Sequence, residues 1–389
     1  MYYCSHNAHG IRFYFLVKEG LLLHPNVQLV ATPDEADLVV FLPESMRWDR
    51  SECGKEQYFP KMVILDEGDG PDLFGVDRRN WTSSNPGVPW HVGYFKRSYI
   101  RRSRGSFKGL MGWMTNHHGK DVFPMTYPVA NAYVKSPFTK LKDREYEIVC
   151  TLRGSKGDPA RQIVQQWTKE YARLRNVTKA VTGEVNHESR RTISKGYFHQ
   201  LQTAQIVVSS NPSGWEGDFR LMEAMGSGAL VFVDNMMVPR PHPLVNHRHI
   251  VYYDNTNKTV CRTPSSQPSY SSHAMSTLPQ THDLTSNTTT VTGASLLQAF
   301  FEQLDYYRTR KNIARKVAVG GYLHVLKYHR SSCLIDYVLR TVHHNLFYER
   351  KHITVPKPPD YRVMGYAMRD HLRGLKTKTG RPMTPFIKS

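Results

Sequence analysis

The sequence predicts an α/β protein built from two successive halves, each a parallel sheet flanked by helices. Short runs that are apolar throughout recur along the chain with helix-like or loop sequence between them, the pattern of strands buried on both faces. That pattern restarts near residue 146. The length of 389 residues also exceeds one ordinary domain of about 100–200 residues.

In the first half, Val27-Gln-Leu-Val-Ala31 reads as a strand and Thr32–Asp37 as a turn or helix start. Leu38-Val-Val-Phe-Leu42 is a fully apolar strand, and Met62-Val-Ile-Leu65 is another that runs into the acidic stretch Asp66-Glu-Gly-Asp69. In the second half Tyr146–Cys150 is a strand, followed by the glycine-bearing turn Thr151–Gly157. Asp158-Pro159 has the chemistry of a helix start, for a helix through Trp167 towards Leu174. Gln205–Ser209 and Ala229–Val233 are strands around a helix at Phe219–Met225 that Gly226-Ser-Gly228 ends, and His249–Tyr253 is a further strand. Leu296, Leu297, Phe300, Phe301 and Leu304 recur at helical spacing, with more helix expected through Leu339.

The domains expected are residues 1–140, residues 141–345, and a basic tail at 346–389. Residues 255–294 interrupt the second half: seventeen of these forty positions are Ser or Thr, too polar to offset the entropy of ordering, so a disordered insertion is expected. Asn80, Asn176, Asn257 and Asn287 each head an Asn-x-Ser/Thr triplet.

The composition, 40 % hydrophobic and 22 % charged, excludes a wholly disordered chain. No apolar run approaches the roughly 20 residues of a membrane-spanning helix, and the N-terminus lacks the signature of a secretory signal. The start at Met1-Tyr-Tyr-Cys is compatible with an incomplete N-terminus. The net charge of +19 favours polyanionic partners such as nucleic acid, acidic lipid, acidic glycan or nucleotide phosphate, without choosing among them. Lys96, Arg97, Arg101, Arg102, Arg104 and Lys108 form one basic cluster, which would line the groove of an acidic acceptor or be a solvated face. The five cysteines are odd in number and widely spaced, so free or buried thiols are expected and no disulfide framework or zinc site.

The most informative stretch runs from Ser209 to Asp234: strand, polar loop, amphipathic helix, glycine turn, strand. In a parallel sheet the loop after a strand opens onto the ligand crevice, and the next helix turns its N–H groups and positive dipole end towards it, a seat for phosphate. Arg220 and Glu223 share a helix face. Arginine can fork onto a diphosphate, and glutamate can accept two ribose hydroxyls. The alternative is a surface i,i+3 salt bridge.

The segment Gly217-Asp-Phe-Arg-Leu-Met-Glu-Ala-Met-Gly-Ser-Gly-Ala-Leu-Val-Phe-Val-Asp234 resembles the nucleotide-sugar motif of GT-B glycosyltransferases, in particular exostosin-like and spore-maturation-type (glycosyl transferase group 1-like) members. Tyr197–Ser209, Pro33–Pro43 and Tyr94–Arg97 are similar to further segments of these proteins, in the same order. The resemblance implies two Rossmann-like domains facing a cleft, with C-terminal helices, and transfer of a hexosyl or pentosyl unit from a nucleoside-diphosphate-sugar to a glycan or glycoconjugate hydroxyl. It places Glu223 on the donor ribose and Arg220 near the diphosphate, with Arg153, Lys156, Ser210 and Asp218 beside them. Glu216 stands seven residues before Glu223, where related enzymes space two glutamates by eight, so it does not inherit the first one's role. No cofactor or metal is expected, because cations and a helix dipole serve instead. On the acceptor side Asp66, Glu67 and Asp69 are the candidate bases for deprotonating the acceptor hydroxyl. The resemblance implies the Golgi lumen if the source is eukaryotic, and the cytoplasm otherwise. The rival class is a basic nucleic-acid-binding protein without catalysis, disfavoured because no nucleic-acid-binding motif is found.

Overall fold

The computed structural model describes residues 1–4, 12–42, 53, 55–67, 92–97, 122–134, 141–152, 158–183, 195–211, 217–236, 240–255 and 293–344. Two five-stranded sheets are present, and every pairing in both is parallel. The fold class is the one the sequence predicts.

The first sheet contains β1 (Tyr2–Tyr3), β2 (Val39–Phe41), β3 (Met62–Asp66), β4 (Gly93–Lys96) and β5 (Val122–Pro124), side by side in chain order. Its inner strands are buried along their whole length, as their unbroken apolar runs require. The expected strand at Val27–Ala31 is not one. That segment is partly exposed, and it is joined to the sheet edge at Met1, whose carbonyl accepts Val30 N–H at 3.0 Å and whose amino group donates to the Gln28 carbonyl at 2.7 Å. The edge strand is the aromatic pair Tyr2–Tyr3 instead, too short to show in a periodicity. Helix α1 (Arg12–Leu23) covers one face, packing Phe13, Val17 and Leu21 against Val40, Val63 and Phe95.

The second sheet contains β6 (Tyr146–Thr151), β7 (Ala180–Gly183), β8 (Ala204–Val208), β9 (Leu230–Asp234) and β10 (Val251–Tyr253). Their spatial order is β10-β9-β8-β6-β7, so the winding direction reverses between β6 and β8. Helices α2 (Pro159–Leu174), α3 (Lys195–Thr203) and α4 (Phe219–Gly226) lie between these strands in sequence. Three further helices end the described chain: α5 (Gly293–Thr309), α6 (Lys311–Tyr328) and α7 (Ser331–His344). Helix α5 includes the last two residues of the expected insertion, and residues 256–292 lie outside the described residues.

Helix α7 returns to the first half. Its Leu334, Ile335, Val338 and Val342 belong to the same apolar cluster as α1 and β4. A Cβ on Gly20 would collide with the Ser331 carbonyl, so glycine permits the close approach of α1 to the start of α7. Glu19 accepts hydrogen bonds there from the Ser331 hydroxyl and from Asn131 N–H, the latter at 3.2 Å.

The cysteine expectation fails at one pair. Cys4, at the end of β1, is bonded to Cys53, with 6.3 Å between the Cα atoms. Their sequence separation of 49 gives no spacing signal, and it is the fold that brings them within the usual span. Cys150 is a free, buried thiol, as expected.

Candidate functional site

In an open parallel sheet the ligand crevice lies outside the carboxyl ends of the strands, where the winding reverses. Here that point is between β6 and β8, and β8 leads through Ser209, Ser210 and Asn211 to Gly217 and α4. Gly217 has φ +89°, a backbone conformation that glycine tolerates, and a side chain there would crowd the Arg240 guanidinium. Asp218 is the N-cap, accepting the Arg220 N–H at 3.1 Å. The loop is braced from β9: Asp234 accepts both the backbone and the side-chain N–H of Asn211, at 2.7 and 2.8 Å, and the Asn211 side chain accepts Gly217 N–H at 2.9 Å.

Helix α4 has no solvated face, since every residue from Arg220 to Gly226 is buried. The surface salt bridge that could have explained Arg220 and Glu223 is therefore excluded. Arg220 is 7 % exposed and lies 3.5 Å from Asp218; Glu223 is 3 % exposed and accepts the Tyr197 hydroxyl of α3 at 3.0 Å. Burial works to lower the Arg220 pKa, yet the combined field of Tyr197, Asp218 and Glu223 raises it, so the guanidinium stays charged. Arg161 of α2 reaches across the reversal point, donating to Asp218 at 2.5 Å and to the Ser210 carbonyl at 3.2 Å.

Several buried polar atoms here have no partner among the described residues: Thr151 Oγ1 at the end of β6, Ser209 Oγ after β8, Asn255 Oδ1 after β10, and Arg220 Nε. Buried polar atoms are almost always hydrogen-bonded. Four exceptions at one edge of one sheet form a patch with hydrogen-bonding capacity left over.

The first half meets this patch through an aromatic stack. Tyr127, after β5, lies on Phe219, the first residue of α4, with ring centroids 3.4 Å apart. Behind Tyr127 stand the charges that end β3 and β4. Asp66 is 0 % exposed and pairs with Lys96 Nζ at 2.9 Å and with the Tyr94 hydroxyl. Arg97 lies over the Tyr127 ring at 4.6 Å and donates to the Glu67 carbonyl at 2.8 Å. The Tyr127 hydroxyl donates to Glu67 Oε2 at 3.3 Å. Lys96 and Arg97 are buried, so of the two readings of their cluster the solvated face does not hold for them, and Arg101, Arg102, Arg104 and Lys108 lie outside the described residues.

No protein-family model matches the sequence, and no curated protein does. Among solved structures the chain is similar to a glycosyltransferase from Rickettsia africae, at 9 % identity over 73 % of this chain and 77 % of that one, with a TM-score of 0.40. It is similar to TarM of S. aureus, solved with Fondaparinux, alpha-GlcNAc-glycerol and UDP, at 9 % identity over 85 % of this chain and 58 % of that one, with a TM-score of 0.43. It is also similar to an alpha1,3-fucosyltransferase, at 10 % identity over 87 % and 85 %, with a TM-score of 0.39. At such identities and scores these likenesses carry no weight for the chemistry, which rests on the site itself.

The structure brings Ser210, Asp218, Arg220 and Glu223 together at the carboxyl edge of the second sheet and sets Asp66 and Glu67 at that of the first. Asp69, Arg153 and Lys156 lie outside the described residues. Sequence reasoning missed Arg161, Tyr197 and Asn211 as parts of this site. Arg161 and Tyr197 come from other elements, and Arg161 and Asp218 are 57 positions apart, so no local pattern marks them. Asn211 stands next to Ser210 in the loop that the sequence singled out, and only its bonds to Asp234 and Gly217 show its part. Among the described residues no group of His, Cys, Asp and Glu side chains could hold a metal ion.

Proposed function

We propose that the protein is a glycosyltransferase that moves a hexosyl or pentosyl unit from a nucleoside-diphosphate-sugar to a glycan or glycoconjugate hydroxyl. One observation carries this reading: a buried arginine and glutamate stand with unpartnered polar atoms at the point where a doubly wound sheet takes its ligand. A nucleoside diphosphate fits that set. Its ribose hydroxyls donate to Glu223, its phosphates face Arg220, and Ser209 and Thr151 supply further hydrogen bonds. The charge that develops on the departing diphosphate is stabilised by these fixed groups, with Arg153 and Lys156 as further cations, and the proposal needs no divalent metal.

On the acceptor side the base is Glu67 rather than Asp66. Asp66 has no exposed surface and is neutralised by Lys96. Glu67 retains some exposure and is joined by Tyr127 and Phe219 to the start of α4. The acceptor would approach between the two sheet edges, give its proton to Glu67, and attack the anomeric carbon as the diphosphate leaves. The resemblance to exostosin-like enzymes, together with the buried Cys4–Cys53 bond, favours work in an oxidising lumen such as the Golgi.

The test is a thermal-shift and saturation-transfer NMR panel of UDP-, GDP- and ADP-sugars on the whole chain. At least one donor should stabilise the protein and show saturation transfer, and the response should weaken in Glu223→Ala. A folded protein that answers none of them overturns the proposal.

A further inference from the structure

We propose that Asn176 is a site of N-linked glycosylation. It heads the triplet Asn176-Val-Thr178, with no proline at the middle position, in the turn between α2 and β7. Asn176 and Thr178 are exposed and Val177 is buried, so the turn is pinned by its middle residue and displays the other two. Neither displayed side chain has a hydrogen-bond partner among the described residues.

Helix capping explains the asparagine only in part. Asn176 adopts φ +49°, Val177 N–H bonds the Ala172 carbonyl at 2.9 Å, and Asn176 N–H bonds the Arg173 carbonyl at 3.4 Å. This is the Schellman ending of a helix, in which glycine is the usual left-handed residue and asparagine the next. The cap does not call for a threonine two places later. Glycosylation does, because the acceptor amide is recognised together with the hydroxyl at that position.

The Cys4–Cys53 bond is an independent observation pointing to the same compartment. Disulfides persist in oxidising lumens and are rare in the cytosol, and the lumen where they form is also where asparagine is glycosylated. Position is favourable as well. The turn precedes β7 and so sits at the amino end of the second sheet, opposite the carboxyl edge that forms the candidate site. A bulky glycan there leaves donor and acceptor access untouched.

The step is a displacement on a lipid-diphosphate-linked oligosaccharide. The Asn176 side-chain nitrogen forms a bond to the anomeric carbon, the bond from that carbon to the phosphate oxygen breaks, and the lipid diphosphate leaves with the electron pair. The amide proton passes to a base of the transferring enzyme.

The decisive experiment is peptide mapping of the full-length protein from its native source after peptide-N-glycosidase F in heavy-oxygen water. The Asn176 peptide should appear with a heavy-oxygen-labelled aspartate. Two variants expressed in the same source separate modification from capping. Asn176→Gly supplies the preferred cap residue, and Thr178→Ala leaves the asparagine in place. Both should lose one glycan step on a gel while keeping the parent melting temperature and the parent response to nucleotide-sugars. An unmodified Asn176 peptide throughout, or variants that migrate as the parent does, overturns the proposal. So does a native protein in which Cys4 and Cys53 are reduced. None of these outcomes bears on whether a sugar nucleotide binds at α4.

Discussion

The two sheets place charged residues at equivalent ends of their strands and use them differently. At the edge of the first sheet Asp66 and Lys96, in register on β3 and β4, cancel each other, and Arg97 and Glu67 are tied to Tyr127. Among the described residues of that half no buried side-chain nitrogen or oxygen lacks a partner. At the edge of the second sheet the charges are as deeply buried, yet Thr151, Ser209, Asn255 and Arg220 keep capacity that nothing described satisfies. Orphaned buried polar atoms cost stability, so a fold that gathers several at one edge is configured for a partner. Burial alone does not mark a site; burial with capacity left over does.

The largest effect should come from breaking the self-contained edge. Lys96→Met removes one member of the buried Asp66–Lys96 pair while the Tyr94 hydroxyl still bonds Asp66, and breaking such a pair costs about 3–5 kcal/mol. Urea denaturation should show that loss, and Lys96→Met with Asp66→Leu should recover most of it. Arg220→Met in the other half should cost less stability, because Asp218 keeps Arg161 at 2.5 Å, but should abolish the thermal shift with a donor. Equal stability losses in the two halves would erase the contrast.

Glu223→Ala comes next. Donor affinity should fall by about 1.5–3 kcal/mol, the value of hydrogen bonds to a charged group, and Tyr197→Phe by about 1 kcal/mol because it removes only the hydroxyl that orients the carboxylate. Isothermal titration with the donor identified by the panel reads both. Unchanged affinity in Glu223→Ala would take the residue out of the site.

The legible part of the molecule is the part that local chemistry dictates. Strands β2, β3, β6, β8 and β9 could be read because both faces are covered and their runs are apolar throughout. Helix α4 could be read from its amphipathic run and closing glycines, while its Asp218 cap shows only in the structure. The Lys96–Arg97 burial could not, since the cancelling carboxylates lie on the neighbouring strand and only the register Asp66↔Lys96 joins them. The same holds for Cys4 with Cys53 and for Arg161 with Asp218: pairings between distant segments leave no trace in periodicity or spacing.

Where the halves join, acid should act. His329 is buried at the end of α6, beside Thr126 of the first half, and its pKa is held well below the ordinary value by burial and by His324, His242 and Arg240. His242 is lowered to about 4 by burial, with His324 and Lys327 adding to the effect and Asp336 opposing it. Both are neutral in the folded protein and protonate more readily once unfolded, so the unfolded state binds more protons below about pH 6.5. Their contribution to stability is present above that value and is lost as pH falls towards 4, by up to about 1.4 kcal/mol per pH unit for each histidine. Denaturation series across that window should show the slope, and His242→Phe should flatten it. A slope that survives the substitution intact would assign the acid sensitivity to other groups.

The smallest effect tests whether the two edges act as one site. Tyr127 and Phe219 are the stacked pair through which Glu67 reaches the start of α4. An aromatic pair contributes about 0.5–1.5 kcal/mol beyond the area it buries, so a double-mutant cycle on Tyr127→Leu and Phe219→Leu should return a coupling of that size in stability. The same cycle read in turnover is more telling. If Glu67 is positioned against the donor through this stack, either single substitution should lower kcat while leaving donor affinity nearly unchanged, and the second should add little to the first. If the stack only glues the halves together, the losses should appear in stability alone and turnover per folded molecule should hold. That second outcome would separate the acceptor base from the donor helix, and would return Glu67 to the self-contained edge from which the proposal removes it.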